Sequence, residues 1–510
     1  MIEINEYFKK ALKIIEEGKN IFITGRAGTG KSTLLQYFRE NSTKNVVVLA
    51  PTGVAALNVK GQTIHSFFRF KPDVTIDKVK KMKIKRKDIY KNIDVLVIDE
   101  ISMVRADLLD CMDIFMRNNG RKTRKPFGGV QVVFFGDLYQ LPPVVKTKEK
   151  EIFKDYYKTP YFFSARCFED LKLEFVELEK IYRQKDEKFI QLLNKIRNRT
   201  ITDEEIEILN QRYDKYFEPS EKDMFIQLVT RNEIAERINN NMLSKLKGKI
   251  FYYRGEIEGE FERDSIPCPE ELKIKKGAQV MLVNNDSMGR WVNGSVGKII
   301  GIEEDETDII VVKLTDGRIV EVTPVKWELF RYYYNKEELK IETEKIGTYI
   351  QYPIILAWAI TIHKSQGKTF DKVIIDLSGG AFAAGQLYVA LSRCTTLDGI
   401  ILKSRISRKD ILIDWEVVKF ITRYQYKKSE EKMGKEEKIK IIEKAKEEGR
   451  KLEIVYLKTC DEKSKRIVKP YEVGEMEYKG NKFLGFKGYD EKSKELRTFR
   501  IERILSIKEI

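Results

Sequence analysis

The chain is poor in the residue types that most often build disulfide and metal sites. Its 510 residues include five cysteines, Cys111, Cys167, Cys268, Cys394 and Cys460, an odd number with no CxxC pair, and only two histidines. That pattern supports neither a disulfide framework nor a zinc site, and it fits a reducing cytoplasm. No uninterrupted run of about eighteen apolar residues occurs, which argues against a membrane span. The start Met1-Ile2-Glu3-Ile4-Asn5-Glu6 lacks the basic and apolar regions of an export signal. The expectation is a soluble, cytoplasmic protein without a membrane partner. What is abundant is charge: 34% of residues are charged, and 95 Lys and Arg against 79 Asp and Glu leave a net charge of +16. Such an excess favours a polyanionic partner; its alternative is a lysine-rich solvated surface. The length and an apolar share of 42% suffice for three or four folding units.

Gly25-Arg26-Ala27-Gly28-Thr29-Gly30-Lys31-Ser32 follows the apolar run Ile21-Phe22-Ile23 and opens into helix-like sequence from Thr33 to Glu40. Strand, glycine loop and helix in that order make a P-loop. Its backbone amides turn inward around phosphate oxygens and the helix start adds a positive dipole end. Lys31 supplies a mobile cation and Ser32 a hydroxyl for Mg²⁺. Upstream, Ile4, Phe8, Leu12 and Ile15 repeat at helical spacing over residues 3 to 17. Downstream, Val46 to Leu49, Val95 to Ile98 and Val130 to Phe135 read as buried parallel strands. The second of these ends in Asp99-Glu100, suited to Mg²⁺ held by Asp99 and an attacking water polarised by Glu100. The third ends in Gly136-Asp137-Leu138-Tyr139-Gln140, where Gln140 can touch a γ-phosphate.

Residues 69 to 93 are rich in Lys and Asp around the run Lys80 to Lys87, either a solvated excursion or a basic insertion facing nucleic acid. A second α/β unit begins near residue 180, with strands at Phe225 to Val229, Ile354 to Thr361 and Val373 to Asp376. It is interrupted from about 275 to 350 by short alternating segments with Asn293-Gly294 and Asp316-Gly317 turns, the pattern of an inserted small β-barrel. Both histidines, His65 and His363, follow Thr-Ile. Each is either structural or, given the matched contexts, one of a pair of equivalent donors to a phosphate backbone. From about 426 to 450 Lys and Glu alternate, with Ile439, Ile441, Ile442 and Ala445 forming a seam, which reads as a charged helical connector. Residues 451 to 510 return to strands, a separate β-rich domain.

This set resembles the Pif-type (petite integration frequency) DNA helicases, relatives of RecD-like enzymes in superfamily one. The resemblance covers roughly residues 1 to 425. It rests on Gly25 to Ser32, Pro51 to Ala56, Thr63 to Phe68, Val97 to Met103, Gly136 to Pro143, Ile181 to Gln184, and the closing blocks 361–367 and 386–393. Arg117-Asn118-Asn119 and Lys125-Pro126-Phe127-Gly128-Gly129 are similar to the family's own signature stretch. The implied fold class is α/β: two RecA-like P-loop motor domains, a small wedge insertion, an inserted small β-barrel and a C-terminal β-rich domain. In residue terms the first motor domain is 1–68 and 94–179, the wedge 69–93 and the second motor domain 180–274 and 351–425. The inserted barrel is 275–350, the linker 426–450 and the terminal domain 451–510.

The resemblance implies ATP and Mg²⁺ as cofactors, with Gly25, Gly28, Thr29, Gly30, Lys31, Ser32, Thr33, Gln366 and Gly367 around the nucleotide and Ser32 and Asp99 on the metal. Lys31, Glu100 and Gln140 join Arg183 and Arg393, two arginine fingers from the second motor domain, in hydrolysis. Thr52, Thr63, His65, Thr361 and His363 contact single-stranded DNA, and Phe67 offers a stacking platform. The implied activity is 5′-to-3′ translocation that unwinds tailed or forked duplexes, by a nucleoid-associated protein that is a monomer in solution, with an oligomer on DNA as the alternative. A nucleic-acid-dependent ATP switch without unwinding is the alternative. The family's helix before the P-loop carries a glutamine that reads adenine; residues 3 to 17 contain none, and Asn5 is the nearest amide. The tail resembles a WYL domain of bacterial nucleic-acid regulators. Tyr456, Arg466, Arg497, Arg500 and Arg503 are its expected pocket, with a stabilising or dimerising appendage as the alternative.

Overall fold

A computed structural model describes residues 4–510 except 86, 146–152, 154, 185, 221–222, 262–264, 305–306, 378–379, 382 and 479. Residues 1–3, which begin the first expected helix, and Arg86 in the basic run lie outside the described residues. The chain forms two compact units, Met1–Leu193 with Thr202–Leu412, and Asn194–Ile201 with Ile413–Ile510.

The first unit holds a six-stranded parallel sheet made of β1 (Ile21–Gly25), β2 (Val46–Ala50), β3 (Gln62–Thr63), β4 (Val95–Ile98), β5 (Gln131–Gly136) and β6 (Glu174–Leu178). The strand order is β3-β2-β4-β5-β1-β6. Runs such as Val46-Val47-Val48-Leu49 lack alternation because both faces are covered. On one face Ile21, Ile23, Val95, Val97, Val133 and Phe135 pack beneath the helices Glu6–Glu16 and Lys31–Asn41. On the other, Phe22 and Phe134 meet the edge of Phe162 at 5.3 and 5.7 Å between ring centres. The turns carrying the candidate site residues leave the carboxyl ends of these strands, where open α/β sheets bind ligands.

The signature stretch is a clasp beside this sheet. Buried Asp113, on helix Ala106–Asn119, accepts from Phe127 N at 2.7 Å and from Arg117 Nε at 2.7 Å. This holds Phe127 fully buried at a left-handed φ of 50°.

The second parallel sheet has the order Ala359–Thr361, Ile226–Val229, Val373–Ile375, Ile400–Leu402. The expected single strand from Ile354 to Thr361 is two strands in two sheets. Ile354–Leu356 pairs antiparallel with Gln279–Leu282 in the insertion, and Ala359–Thr361 pairs parallel with Ile226–Val229. The chain changes sheets at Ala357 and Trp358, where Gln279 Nε2 donates to Ala357 O at 2.8 Å. The insertion itself is a five-stranded antiparallel sheet around Trp291, Val280, Ile299 and Val312. Beyond it a long hairpin, Val325–Asn335 with Lys340–Gln351, returns to the first sheet. There Val48 N donates to Tyr332 Oη at 3.2 Å and Ile341 N to Asn45 Oδ1 at 2.9 Å.

Within residues 69 to 93 the helices Ile76–Lys81 and Asp88–Asn92 are anchored by Tyr90, whose ring meets Phe67 and Phe115.

The second unit is built on one antiparallel sheet, ordered Glu495–Arg500, Asn481–Asp490, Lys463–Tyr478, Leu452–Leu457, Ile504–Glu509. The Lys- and Glu-rich segment is helical, as its spacing predicts, but it is no free connector. Ile442 and Ala445 on helix Lys435–Glu447 are buried in the same core as Leu452, Ile454 and Phe486. Among the described residues no helix is long and apolar enough to cross a membrane.

Candidate active site

The loop after β1 makes its turn with two residues in the left-handed region, Gly28 at φ 79° and Gly30 at φ 84°. Helix Lys31–Asn41 then starts with no side-chain cap, so its first amides stay available to an anion. Thr29, 1% exposed, ties the loop to itself through Oγ1 to Arg26 O at 2.9 Å. Lys31 Nζ donates to Gly25 O at 2.7 Å and Arg26 O at 3.1 Å. Burial lowers its pKa, while Asp137, Glu100 and Asp99 nearby raise it. Ser32 and Thr33 are exposed on the first turn.

At the end of β4, Asp99 and Glu100 share a water-poor pocket. Burial first, then the neighbouring Glu100 charge, push Asp99 up to about 7. Burial raises Glu100 as well, and Lys31 partly offsets it. Glu100 is also held at φ 48° and ψ 43°, a left-handed backbone that a side-chain-bearing residue adopts at a cost of about 1–3 kcal/mol. A strained carboxylate beside a second carboxylate, both facing a lysine, is a set of oxygen donors short of positive charge. Among the described residues no three His, Cys, Asp or Glu side chains converge as a metal cage. A divalent cation here would therefore share its coordination between Asp99, Ser32 and ligand phosphates.

The other half of the site closes over this cradle. Tyr182 N donates to Gly28 O at 2.8 Å, which lays Arg183 against the P-loop. Arg183 Nη1 reaches Ser392 O at 3.4 Å and Nη2 reaches Gly367 O at 3.5 Å. Arg393, 1% exposed, donates to Val389 O and Ser392 Oγ at 2.9 Å each, and to Ser365 O and Lys368 O at 3.4 Å. Among the described residues neither guanidinium is paired with a carboxylate. Burial, then the adjacent Arg183 charge, lower Arg393 to about 9. Gln140, 8% exposed, accepts from Gln366 Nε2 at 3.4 Å and donates to Asp137 Oδ2 at 3.1 Å.

Arg393 comes from the second half, but Arg183 stands on the connection leaving β6 of the first sheet, five positions past Leu178. Two residues whose roles the sequence left unread complete the closure. Ala27 N donates to Tyr388 Oη at 3.2 Å. Gln184 Nε2 clamps Ser392 O at 3.0 Å and Cys394 O at 3.2 Å. The only sequence sign of Tyr388 is its place about one turn before Ser392 in helix Gln386–Leu391. Asn5, the amide in the glutamine-free first helix, caps that helix by accepting from Phe8 N and donates to Tyr182 Oη, both at 2.9 Å.

The two Thr-Ile-His segments have the same local geometry. Thr63 ends β3 and its Oγ1 accepts from Ser66 N at 3.1 Å; Thr361 ends Ala359–Thr361 and its Oγ1 accepts from Lys364 N at 3.3 Å. Burial lowers the pKa of both His65 and His363, which favours the neutral imidazole. Thr361 and His363 line a pocket of about 510 Å³ with Thr230, Arg231, Asn232 and Glu233, four residues the sequence reading passed over. Thr52, exposed, caps helix Gly53–Asn58 by accepting from Ala55 N at 3.3 Å. Phe67 is a correction: it is 4% exposed, its ring fixed edge-to-face by Phe68, Tyr90 and Tyr332, so it fills core and presents no face for stacking.

In the second unit the five expected pocket residues do not all meet: Arg500 touches Tyr456, while Arg466 and Arg497 have partners of their own. Arg466 is 8% exposed, paired with Asp490 and set 6.0 Å from the Phe499 ring centre, with its Nε left without a partner. Arg497 and Arg500 are three apart on one strand, and alternation sends them to opposite faces. Arg500 lies 4.2 Å from the Phe483 ring centre, and its backbone N donates to Tyr456 Oη at 3.3 Å. Arg497 is exposed and pairs with Glu495 at 3.5 Å; Arg503 ends the short turn Ile501–Arg503.

With this geometry in hand, likeness to known proteins is specific. The PIF1-like helicase family model matches residues 3–207, the UvrD-like helicase C-terminal domain model 356–397, and the WYL domain model 437–509. The chain is 32% identical to ATP-dependent DNA helicase Pif1 of Bdellovibrio bacteriovorus, over 83% of this chain and 93% of that protein. It is 31% identical to ATP-dependent DNA helicase PIF1 of Saccharomyces cerevisiae, over 82% of this chain and 62% of that one. The chain thus spans about three-fifths of the yeast relative and nearly all of the Bdellovibrio one. Among solved structures, Bacteroides sp Pif1 in complex with ADP-AlF4 is 39% identical, covering 84% of this chain and 98% of that chain with a TM-score of 0.77. Bacteroides Pif1 bound to ssDNA is 40% identical, with the same coverages and a TM-score of 0.61.

Proposed function

The chain belongs to the PIF1-like helicase family, and from that premise we propose that it is an ATP-driven DNA helicase acting on single-stranded and tailed or forked duplex DNA. The observation that carries the reading is the closed cleft: a P-loop and an acidic pair from one sheet, facing two guanidiniums that have no carboxylate partner among the described residues. A buried cation held only by carbonyl and hydroxyl oxygens is matched to an anion that arrives and leaves.

In this reading Lys31 Nζ exchanges the Gly25 and Arg26 carbonyls for β- and γ-phosphate oxygens. Mg²⁺ would be held by Ser32 and Asp99 and would screen phosphate charge. Glu100 accepts the proton of the attacking water, and its strained backbone fixes where the carboxylate points. Gln140 and Gln366, in contact across the cleft, sense whether a γ-phosphate is present. Arg183 and Arg393 neutralise charge on the transferred phosphoryl group, an effect of about 10³–10⁵ in rate. With Tyr388 and Gln184 as further cross-cleft ties, each loss of phosphate opens the two halves and changes their grip on DNA. Thr63, His65, Thr361, His363 and Thr52 are the proposed backbone contacts, with Thr230, Arg231 and Asn232 added to them.

The finer proposals are movement from 5′ to 3′, strand separation by residues 69 to 93, and tuning of DNA affinity by the WYL domain. The net charge of +16 supports a place on the nucleoid. The motor domains are proposed as 1–68 with 94–179 and 180–274 with 351–425. ATP hydrolysis measured with and without single-stranded DNA tests the core of the reading. Stimulation that vanishes in Lys31→Ala, with DNA binding retained, is expected; hydrolysis indifferent to DNA would remove the motor, and stimulation without unwinding would leave a switch.

A further inference from the structure

The turn Asn293-Gly294 of the insertion touches neither the P-loop nor the arginines, yet it sits where three segments meet. Its backbone is fixed by Asn293 N donating to Asn285 Oδ1 at 2.8 Å and Gly294 N to Leu282 O at 2.8 Å. The Asn293 side chain faces two ways. Its Nδ2 donates to Asn58 Oδ1 at 3.4 Å, at the end of the helix that Thr52 caps. Its Oδ1 accepts from Lys368 Nζ at 2.5 Å, the one side-chain partner of that amine among the described residues. Burial pulls the Lys368 ammonium down to about 8, so the amide supplies the polar contact that this half-buried cation otherwise lacks.

Lys368 is joined in turn to the cleft arginine. Its carbonyl accepts from Arg393 Nη1 at 3.4 Å, and two residues on Phe370 N donates to Arg393 O at 2.9 Å. The segment 368–370 therefore touches Arg393 at both its guanidinium and its backbone, beside the shorter bonds to Val389 O and Ser392 Oγ. We propose that Asn293 is a positioning residue for Arg393, acting through Lys368, and that it links helix Gly53–Asn58 to the phosphate site. The proposal rests on the helicase reading above for the reaction that Arg393 serves. A helix capped by a candidate DNA contact, a fixed turn and a lysine whose carbonyl holds the guanidinium form one contiguous path. DNA that shifts Thr52 moves Asn58, and the amide carries that shift to the arginine.

The test is a double-mutant cycle on the full chain. Asn293→Leu removes both amide groups, and Asn293→Asp keeps an acceptor for Lys368. The expected result is a fall of about tenfold in DNA-stimulated kcat for Asn293→Leu, with KM for ATP and affinity for single-stranded DNA changed by less than about twofold. Asn293→Asp should stay within about twofold of the parent, which guards against a folding defect in the leucine variant. In an Arg393→Ala background Asn293→Leu should cost nothing further. A parent-like kcat in Asn293→Leu, an equal loss in Asn293→Asp, or losses that multiply in the double variant would each overturn the proposal. Absence of DNA stimulation in the parent would instead overturn the helicase reading, and the cycle would then be read on basal kcat.

Discussion

Gly28→Ala moves the arginine that closes the site without removing any functional group. A Cβ built on Gly28 falls 2.5 Å from Arg183 Cβ and 3.3 Å from Arg183 N. Carbon atoms in ordinary contact stand about 3.5–4.0 Å apart, so Arg183 must retreat by about 1 Å. The loop cannot yield instead, because Gly28 O holds Tyr182 N at 2.8 Å and the residue sits at φ 79°. Keeping alanine in that left-handed conformation costs a further ~1–2 kcal/mol. A catalytic group displaced by about 1 Å costs about 10²-fold in rate, whereas Lys31 and the helix amides stay in place to bind phosphate. Steady-state ATPase at saturating single-stranded DNA should therefore show kcat down about 10²-fold with KM for ATP within about threefold. A kcat within about twofold of the parent would refute the claim that Arg183 must lie against Gly28.

Asp99, pushed up to about 7, holds a proton below that pH in the free protein, and a bound divalent cation must release it. Its raised pKa adds stability that is full below the ordinary Asp value of 3.8 and is lost as pH rises through about 7. Nucleotide binding with Mg²⁺ should accordingly release about one proton at pH 6 and almost none at pH 8, read by calorimetry in buffers of different ionisation enthalpy; equal release at both would contradict the buried pair. Phe67→Ala should lower the stability of the first unit by about 3–5 kcal/mol, followed by denaturant unfolding. A stable variant with weakened DNA binding would restore the stacking role. Tyr388→Phe leaves Ala27 N without its partner, at a cost of about 1–3 kcal/mol in closing the cleft. It should lower kcat about tenfold with little change in nucleotide affinity, and an unchanged kcat would show that the tie is dispensable.

What the sequence made legible is what local spacing encodes. The P-loop, Asp99-Glu100 after β4 and the paired Thr-Ile-His segments each sit within a few residues of a strand end, so strand pattern and motif point to one place. The threonines even repeat the same hydrogen bond three residues on. What stayed hidden depends on residues far apart in the chain. Phe67 is core because Tyr332, on a hairpin more than 250 positions away, seals it. Tyr388 reaches Ala27 across 361 positions, and only its place one turn before Ser392 marks it. Ile354 to Thr361 reads as one apolar strand because hydrophobicity does not record which sheet each half joins. In the tail, the WYL resemblance implied a pocket, but a period of two divides Arg497 from Arg500, and Asp490 claims Arg466.

Single-turnover unwinding of duplexes carrying either a 5′ or a 3′ single-stranded tail tests the central claim most directly. The account predicts strand separation of the 5′-tailed substrate only, dependent on ATP and abolished in Lys31→Ala and Arg393→Ala. Unwinding of the 3′-tailed duplex alone would contradict the direction. ATP hydrolysis stimulated by DNA with neither duplex opened would contradict the helicase itself.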